Sequence, residues 1–551
     1  MNGQKKISLS YLLLAGLLLF LILCPLLTIF VKAFIINDEL NVSYALSTIL
    51  EPQNGKMIRN SLLLGGAVVI LATLISLPLS YLFSRTSLAE HRFFDILFLI
   101  PFMTPPYIAS MGWILFMQKR GLLSQLCPAL TDGIPLFFSF GGLVLVMSLH
   151  IFPFMLVLMK NAMLRIPSSL EEAAAVSGAG YGCRLRKIFF PLLTGNYVIG
   201  ALLVFVKTLS EYGTPYTLGK RIGFDVFTTD IHRYAAIAPI DFGKAAVLAS
   251  LLVTICLLLW LVQNYITATH SYGLIGGKGS RMKYHVLSPV GQGFAILYIL
   301  LVFAVSVGIP YFSVISTSLI KLRGFGLAAG NFTLAHYTEL FTESDAALSA
   351  LGNSFFLGIT SATLCALLGT VIVLTVRQIK GNGGKLLEAI SLIPEMLPGI
   401  VLVIGLMLFW NDIYDFLPLY NTLGIMVITY TALFLPYTVQ YVTSASSQLS
   451  ESLLEAGRIF GASRWYIFRH ITCPLIARGI AAGWMMTFII AVRELVAPSL
   501  IAPPDTLVIS TFIMREFEQG SVSLGMSMAV LCILFTTISL FAVKRFASRL
   551  K

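Results

Sequence analysis

The chain has 551 residues, of which 57% are hydrophobic and 11% charged, with a formal net charge of +12. Soluble proteins carry about 25% charged residues, so this chain has too little polar surface for a water-soluble fold. Its basic residues are dispersed between apolar runs rather than clustered, which fits membrane topology and excludes nucleic acid as the partner.

A transmembrane helix needs about 20 consecutive, mostly apolar residues. In chain order that rule predicts twelve spans, centred at 9–33, 61–83, 94–117, 136–159, 190–209, 245–267, 291–319, 354–376, 389–410, 423–445, 475–492 and 521–543. The class is therefore an all-α polytopic membrane protein. The first run follows MNGQKK, exceeds a signal-peptide core in length and has no small-residue cleavage site, so a retained helix is expected. With the N-terminus inside, the inner segments are 84–93, 160–189, 268–290, 377–388 and 446–474, plus both tails. Most of the 37 lysines and arginines fall in or beside them, as the positive-inside rule requires, and both termini are expected in the cytoplasm. Seven cysteines without a CxxC pair read as small buried hydrophobes. The seven histidines form no His-x₃-His and no cluster with cysteine, so no metal site is expected.

The second half repeats the first. Asn60-Ser61 returns as Asn353-Ser354, and LIPFMTPP (99–106) returns as LIPEMLPG (392–399), both 293 positions later (60 to 353, 99 to 392). Past an outer loop at 118–135 the offset becomes 283 (172 to 455). Glu172-Ala173-Ala174 then meets Glu455-Ala456-Gly457, Gly178 meets Gly461, Ile188 meets Ile471, Pro191 meets Pro474, and Glu211 meets Glu494. Six spans per half is an even number, so the repeats run parallel, an arrangement in which a transport path lies between the halves. The expected division is 1–268 for the first repeat, 269–290 for a glycine-rich basic linker (GLIGGKGSRMK) and 291–551 for the second repeat.

The inner loop EEAAAVSGAGYGCRLRKIFFP (171–191) stands out for its charge and glycine. Pro167-Ser168-Ser169 can start a short helix, with Glu171 or Glu172 near its positive end. Ala173, Ala174 and Ala175 favour helix with little bulk, and Gly178, Gly180 and Gly182 are expected to end it. A matching loop occupies 450–474.

Both loops resemble the EAA signature of inner-membrane permeases of binding-protein-dependent ABC importers: Glu-Ala-Ala, three residues, Gly, nine residues, Ile, one residue, Leu, Pro. Phe190 stands at the Leu position of the first copy; Gly457 and Cys473 depart from the pattern in the second. The resemblance covers most of the chain and implies a type I ABC importer permease fold in the bacterial cytoplasmic membrane. On that resemblance Glu172, Ala173, Ala174, Gly178, Ile188 and Pro191, with Glu455, Ala456, Gly457, Gly461, Ile471 and Pro474, form two coupling helices, one for each of two cytoplasmic ATPase subunits. An extracytoplasmic binding protein and surrounding lipid are the other implied partners. ATP-Mg would sit in the ATPase, and this chain would bind no cofactor. Its nearest approach to a phosphate-binding loop, YGLIGGKGS (272–280), has Tyr272 for the first Gly and Gly279 for Ser/Thr, so it is expected to be a transport subunit rather than an enzyme.

Fused permeases of this length resemble the ferric-iron importer type most closely, with thiamine and 2-aminoethylphosphonate importers as relatives. The stretches KTLSEYGTPYTLG (207–219) and VRELVAPSLIAPPDTLVISTFI (492–513) carry that resemblance. Ionised residues at membrane depth tend to face a cavity or a partner, so Glu211, Tyr212 and Glu494 are candidates for the path. Pro105 and Pro398 join them because proline breaks a helix, and broken helices can line a path. The contrasting class is an ion-coupled secondary transporter with two six-helix halves, which would leave the two matched loops without a purpose.

Overall fold

The computed structural model describes residues 9–36, 39–91, 93, 100–101, 104–269, 284–379 and 381–548. In chain order the main helices are α1 (Tyr11–Phe34), α2 (Pro52–Arg85), α3 (Pro106–Met117), α4 (Phe140–Arg165), the short α5 (Ser168–Val176), α6 (Gly182–Ser210), the short α7 (Phe227–Ala236) and α8 (Phe242–Thr269). The second half gives α9 (Pro289–Leu319), α10 (Asp345–Gln378), α11 (Asn382–Met396), α12 (Gly399–Asp412), α13 (Leu423–Ser446), the short α14 (Glu451–Ile459), α15 (Trp465–Val492), α16 (Ile509–Glu518) and α17 (Val522–Ser548). Among the described residues the only sheet is a two-residue hairpin after α1, pairing Ile35 with Leu40 and Ile36 with Glu39.

Ten helices among the described residues are long and apolar enough to cross a membrane, or eleven if the bent pair α11–α12 is one span. The third span of each repeat is interrupted at proline, as the sequence led one to expect. Window 389–410 is split, with α11 and α12 meeting at 109°. Pro398 caps α12 in an extended conformation (φ −58°, ψ 129°), and its ring disfavours helical backbone at Leu397, which is itself extended (φ −108°, ψ 152°). Pro105 caps α3 in the same way (φ −57°, ψ 133°). The rest of window 94–117 lies partly outside the described residues, as do Phe102, Met103, the linker segment 270–283 with YGLIGGKGS, and the last three residues. Helix α11 also starts at Asn382, inside the expected inner loop 377–388.

Of the five π-turns among the described residues, the four at Leu19–Leu23, Leu185–Phe189, Ala304–Gly308 and Phe468–Thr472 each end two residues before a proline: Pro25, Pro191, Pro310 and Pro474. Proline has no N–H to donate and its ring crowds the carbonyl four residues back. The ladder slips to a wider turn there instead of breaking.

The described helices sort into two compact units that cut across the sequence repeats. One gathers α1 with α10–α17; the other gathers α2–α6 with α9, and the division passes through α7 and α8. The first span of each repeat thus packs among helices of the other repeat. In the first unit α1 lies on α12, with Phe20 edge-on to Phe409 and Trp410 at 5.2 and 5.4 Å and Lys32 bridging to Asp412 at 2.8 Å. In the second unit α9 lies on α3, where the hydroxyls of Tyr311 and Thr104 meet at 2.8 Å.

Within each unit glycine lets helices close on one another, as lipid-embedded interfaces require. A Cβ at Gly65 on α2 would stand 2.7 Å from the Phe205 ring of α6, and one at Gly358 on α10 would stand 2.9 Å from the Phe488 ring of α15. Both partners in this pair are repeat equivalents.

Candidate functional site

The two inner loops fold alike. Helix α5 spans Ser168–Val176 and α14 spans Glu451–Ile459, the latter capped by the Ser450 side chain accepting from Leu453 N–H at 3.3 Å. Each ends at a glycine in the left-handed region, Gly178 at φ +81° and Gly461 at φ +77°. The next N–H then closes a six-residue ring, Ala179 donating to the Ala174 carbonyl at 2.9 Å and Ala462 to that of Gly457 at 3.0 Å. This is the Schellman stop. Gly182 does not help to end α5, contrary to the sequence expectation; it lies in the first turn of the following helix (Tyr181–Arg184).

Ile188 and Ile471 sit in the π-turns that lead out of the loops, and Pro191 and Pro474 open the helical segments after them. In the second loop a Cβ on Gly457 would meet Ile467 at 3.2 Å and Ile471 at 3.3 Å. The absence of a methyl at this EAA position therefore lets α14 close onto the outgoing arm. Glu172, Ala173 and Glu455 are exposed, and Ala456 is half-buried.

The loops also carry apolar side chains with nothing covering them. Val176 is 90% exposed, and its repeat equivalent Ile459 is 82% exposed, beside Phe460 at 89%. Such side chains outside the spans mark a surface meant for contact. Sequence reasoning passed over them because they lie just beyond the Glu-Ala-Ala core.

Of the path candidates, Glu211 and Glu494 also cap the turns that follow them. Glu211 follows α6, and both carboxylate oxygens accept from the Thr214 N–H at 3.0 Å. Glu494 follows α15, and its Oε1 accepts from Val496 N–H at 2.9 Å and Ala497 N–H at 3.3 Å. Each thereby satisfies donors at the start of the next helical turn. Their own carbonyls accept from the Thr228 and Ser510 hydroxyls. Tyr212 is buried, its ring 5.1 Å from that of Tyr216.

Two short helices absent from the sequence reading, α7 and α16, complete these corners. The repeated Asn-Ser pair holds them. Ser61 Oγ accepts from Phe227 N–H at 2.9 Å while Asn60 donates to the Asp225 carbonyl at 3.3 Å. Ser354 accepts from Ile509 N–H at 2.8 Å while Asn353 donates to the Leu507 carbonyl at 2.9 Å. The signal was in the sequence as a repeat without a role.

In the second unit a cavity of about 810 Å³ opens at the C-terminal ends of α3 and α9, with Lys119, Arg120 and Arg323 in its lining and no carboxylate. Among the described residues no three His, Cys, Asp or Glu side chains converge as a metal site.

The family described as binding-protein-dependent transport system inner membrane component matches the chain twice, at residues 69–269 and 358–551. The chain belongs to that family. Each match to the permease component contains one of the two exposed loops. The chain is 26% identical to the ferric transport system permease protein of Actinobacillus pleuropneumoniae, over 98% of its own length and 78% of that protein's. It is 27% identical to a putative ferric transport system permease protein of Haemophilus influenzae, over 92% and 80%. A putative 2-aminoethylphosphonate transport system permease protein of Salmonella typhi matches at 24% identity, over 48% of this chain and 99% of its own. The chain is thus a two-repeat permease component of an ABC importer.

Proposed function

We propose that this permease imports ferric iron delivered by an extracytoplasmic binding protein, by alternating access driven by two ATPase subunits that grip α5 and α14. ATP-Mg belongs to those subunits; this chain supplies the path and hydrolyses nothing. Both termini lie in the cytoplasm, and residues 1–268 and 291–551 each act as one permease repeat.

The observation that carries the reading is the pair of matched loop helices, each stopped by a left-handed glycine and each presenting uncovered apolar side chains. A secondary transporter has no use for two such knobs. The ferric assignment draws on relatives that span most of the chain, whereas the 2-aminoethylphosphonate relative spans half. Glu211, Tyr212, Glu494 and the breaks at Pro105 and Pro398 are assigned to the path on their matched positions. Thiamine or 2-aminoethylphosphonate on the same machinery is the second reading.

The test is uptake into proteoliposomes holding the permease and its ATPase subunits, with radiolabelled iron on the binding protein. ATP-dependent accumulation of iron is expected, with none driven by a proton or sodium gradient alone. Gradient-driven uptake without ATPase subunits overturns the proposal; ATP-dependent uptake of 2-aminoethylphosphonate or thiamine instead of iron overturns the substrate alone.

A further inference from the structure

We propose that Arg85 and Arg377 are positioning residues that weld the second span of each repeat to its coupling loop, so that a push on the loop moves that span with it. The inference rests on the ATPase docking proposed above.

Each arginine closes a long apolar helix, Arg85 as the last residue of α2 and Arg377 one before the end of α10. An arginine at a membrane boundary ordinarily extends its head group to water. Arg85 turns inward instead and is 4% exposed. Its Nη2 donates to the carbonyls of Met163 at 2.7 Å and Ile166 at 2.8 Å. Arg377 does the same in the other repeat, Nη1 donating to the Ser446 carbonyl and Nη2 to that of Leu449 at 2.9 Å.

These carbonyls are equivalent, each 283 positions apart (163 to 446, 166 to 449). They belong to the last turn of α4 and of α13 (Met163, Ser446) and to the segment just after it (Ile166, Leu449), where a cation is favoured; the Met163 and Ser446 carbonyls also accept from the N–H of Ile166 and Leu449 at 3.2 and 3.0 Å. Ile166 and Leu449 each stand two residues before a coupling helix begins.

The first clamp holds the returning arm as well. The Arg85 guanidinium carbon lies 5.4 Å from the centre of the Phe189 ring, in the π-turn that leaves the loop. Phe189 is buried with Met163 and Ile166 in one cluster. One side chain thus ties α2 to both ends of the loop. At Arg377 the two bonds come from separate nitrogens of the guanidinium fork, and at Arg85 the planar guanidinium also lies against the Phe189 ring; a lysine ammonium, a point charge on a flexible stem, can replace only part of this. The two arginines escape pairing by sequence because they are 292 positions apart (85 to 377), one short of the offset on either side. Sequence offset alone sets Arg85 against Gln378.

The experiment uses the full chain with its ATPase subunits in proteoliposomes, comparing wild type with Arg85→Met, Arg377→Met, the double variant, and the conservative Arg85→Lys and Arg377→Lys. Four quantities are read: ATPase subunits retained, melting temperature, ATP hydrolysed, and iron from the loaded binding protein accumulated per ATP. A readout independent of substrate is the distance between spin labels at Ser177 in the loop and Leu63 on α2, with and without an ATP analogue, the exposed Cys127 and Cys183 having been replaced.

The weld predicts that the double variant keeps its ATPase subunits while accumulation per ATP falls by at least about tenfold, the scale set by losing hydrogen bonds to a charged group. The lysine variants recover part of it. The Ser177–Leu63 distance stays fixed in wild type and shifts or broadens with nucleotide in Arg85→Met. An unchanged ratio overturns the weld alone. Parallel loss of retention, hydrolysis, transport and melting temperature assigns the arginines to folding only, and also overturns it. A wild-type chain that binds its ATPase subunits away from α5 and α14 removes the docking reading and the weld together, and loop-to-ATPase cross-linking separates that outcome from the others.

Discussion

Gly405 lies hard against Pro25: a Cβ at position 405 would stand 2.6 Å from the Pro25 carbonyl oxygen. Gly112 stands in the same relation to Pro310, also at 2.6 Å. Backbone cannot yield as a flexible side chain can, so Gly405→Leu and Gly112→Leu are expected to cost about 1–3 kcal/mol or more each as overpacking. Denaturation midpoints in detergent check this. A neutral Gly405→Leu would show that α1 does not sit on α12 as described.

At the loop glycines space is open, with nothing within 4 Å of a Cβ at Gly178 or Gly461. The cost of substitution there is conformational, about 1–2 kcal/mol for an ordinary residue in the left-handed region. Gly178→Ala and Gly461→Ala are expected to loosen the helix stop and reduce ATPase retention. Asparagine, which tolerates that region better, is expected to retain more in the same pull-down. Equal retention for alanine and glycine contradicts the role of the stop.

Val176, Ile459 and Phe460 are exposed, so changing them to serine should leave the unfolding free energy within about 0.5 kcal/mol of wild type. ATPase binding, measured by titration of the purified subunits, is expected to weaken at least tenfold in the triple variant, as for central apolar anchors. Undiminished binding would move the contact surface elsewhere.

Glu211→Gln and Glu494→Gln separate capping from charge. An amide oxygen can still accept the backbone N–H groups, so stability should hold, whereas Glu→Ala should lose about 1 kcal/mol. Transport that falls in the glutamine variants at constant melting temperature assigns the carboxylate charge to the path. Full transport with glutamine leaves both residues as caps alone.

The Lys32–Asp412 bridge is 2.8 Å long, yet each side chain is 40% exposed. Pairs of this kind are worth about 0–1 kcal/mol, so a double-mutant cycle is expected to return less than that. Apolar contacts such as Phe20 with Phe409 and Trp410 are expected to dominate the same interface, and a larger coupling for the ion pair would reverse that ranking.

The spans and the repeat were legible because hydrocarbon length and matched spacing are one-dimensional signals. The loop helices were legible for the same reason: Ser168, the alanines and Gly178 specify a start, a body and a stop within eleven residues. What could not be read depends on neighbours distant in sequence. The exchange of α1 and α9 between repeats leaves only Gly405 and Gly112 as traces. The local bonds of the Glu211 and Glu494 carboxylates, to N–H groups two and three residues ahead, could not be read from their matched positions. The prolines announced a break in α11–α12, but the 109° turn is set by packing.

The exchange of first spans imposes an order on synthesis. Pro25 leaves the ribosome about 380 residues before Gly405, roughly 20–75 s at ordinary translation speeds of 5–20 residues per second. Through that interval α1 waits in the bilayer with its mate unmade. The newborn chain is therefore most exposed to quality-control proteases while α1 still lacks α12, and ribosome stalling before α12 emerges should be punished more severely than stalling after it.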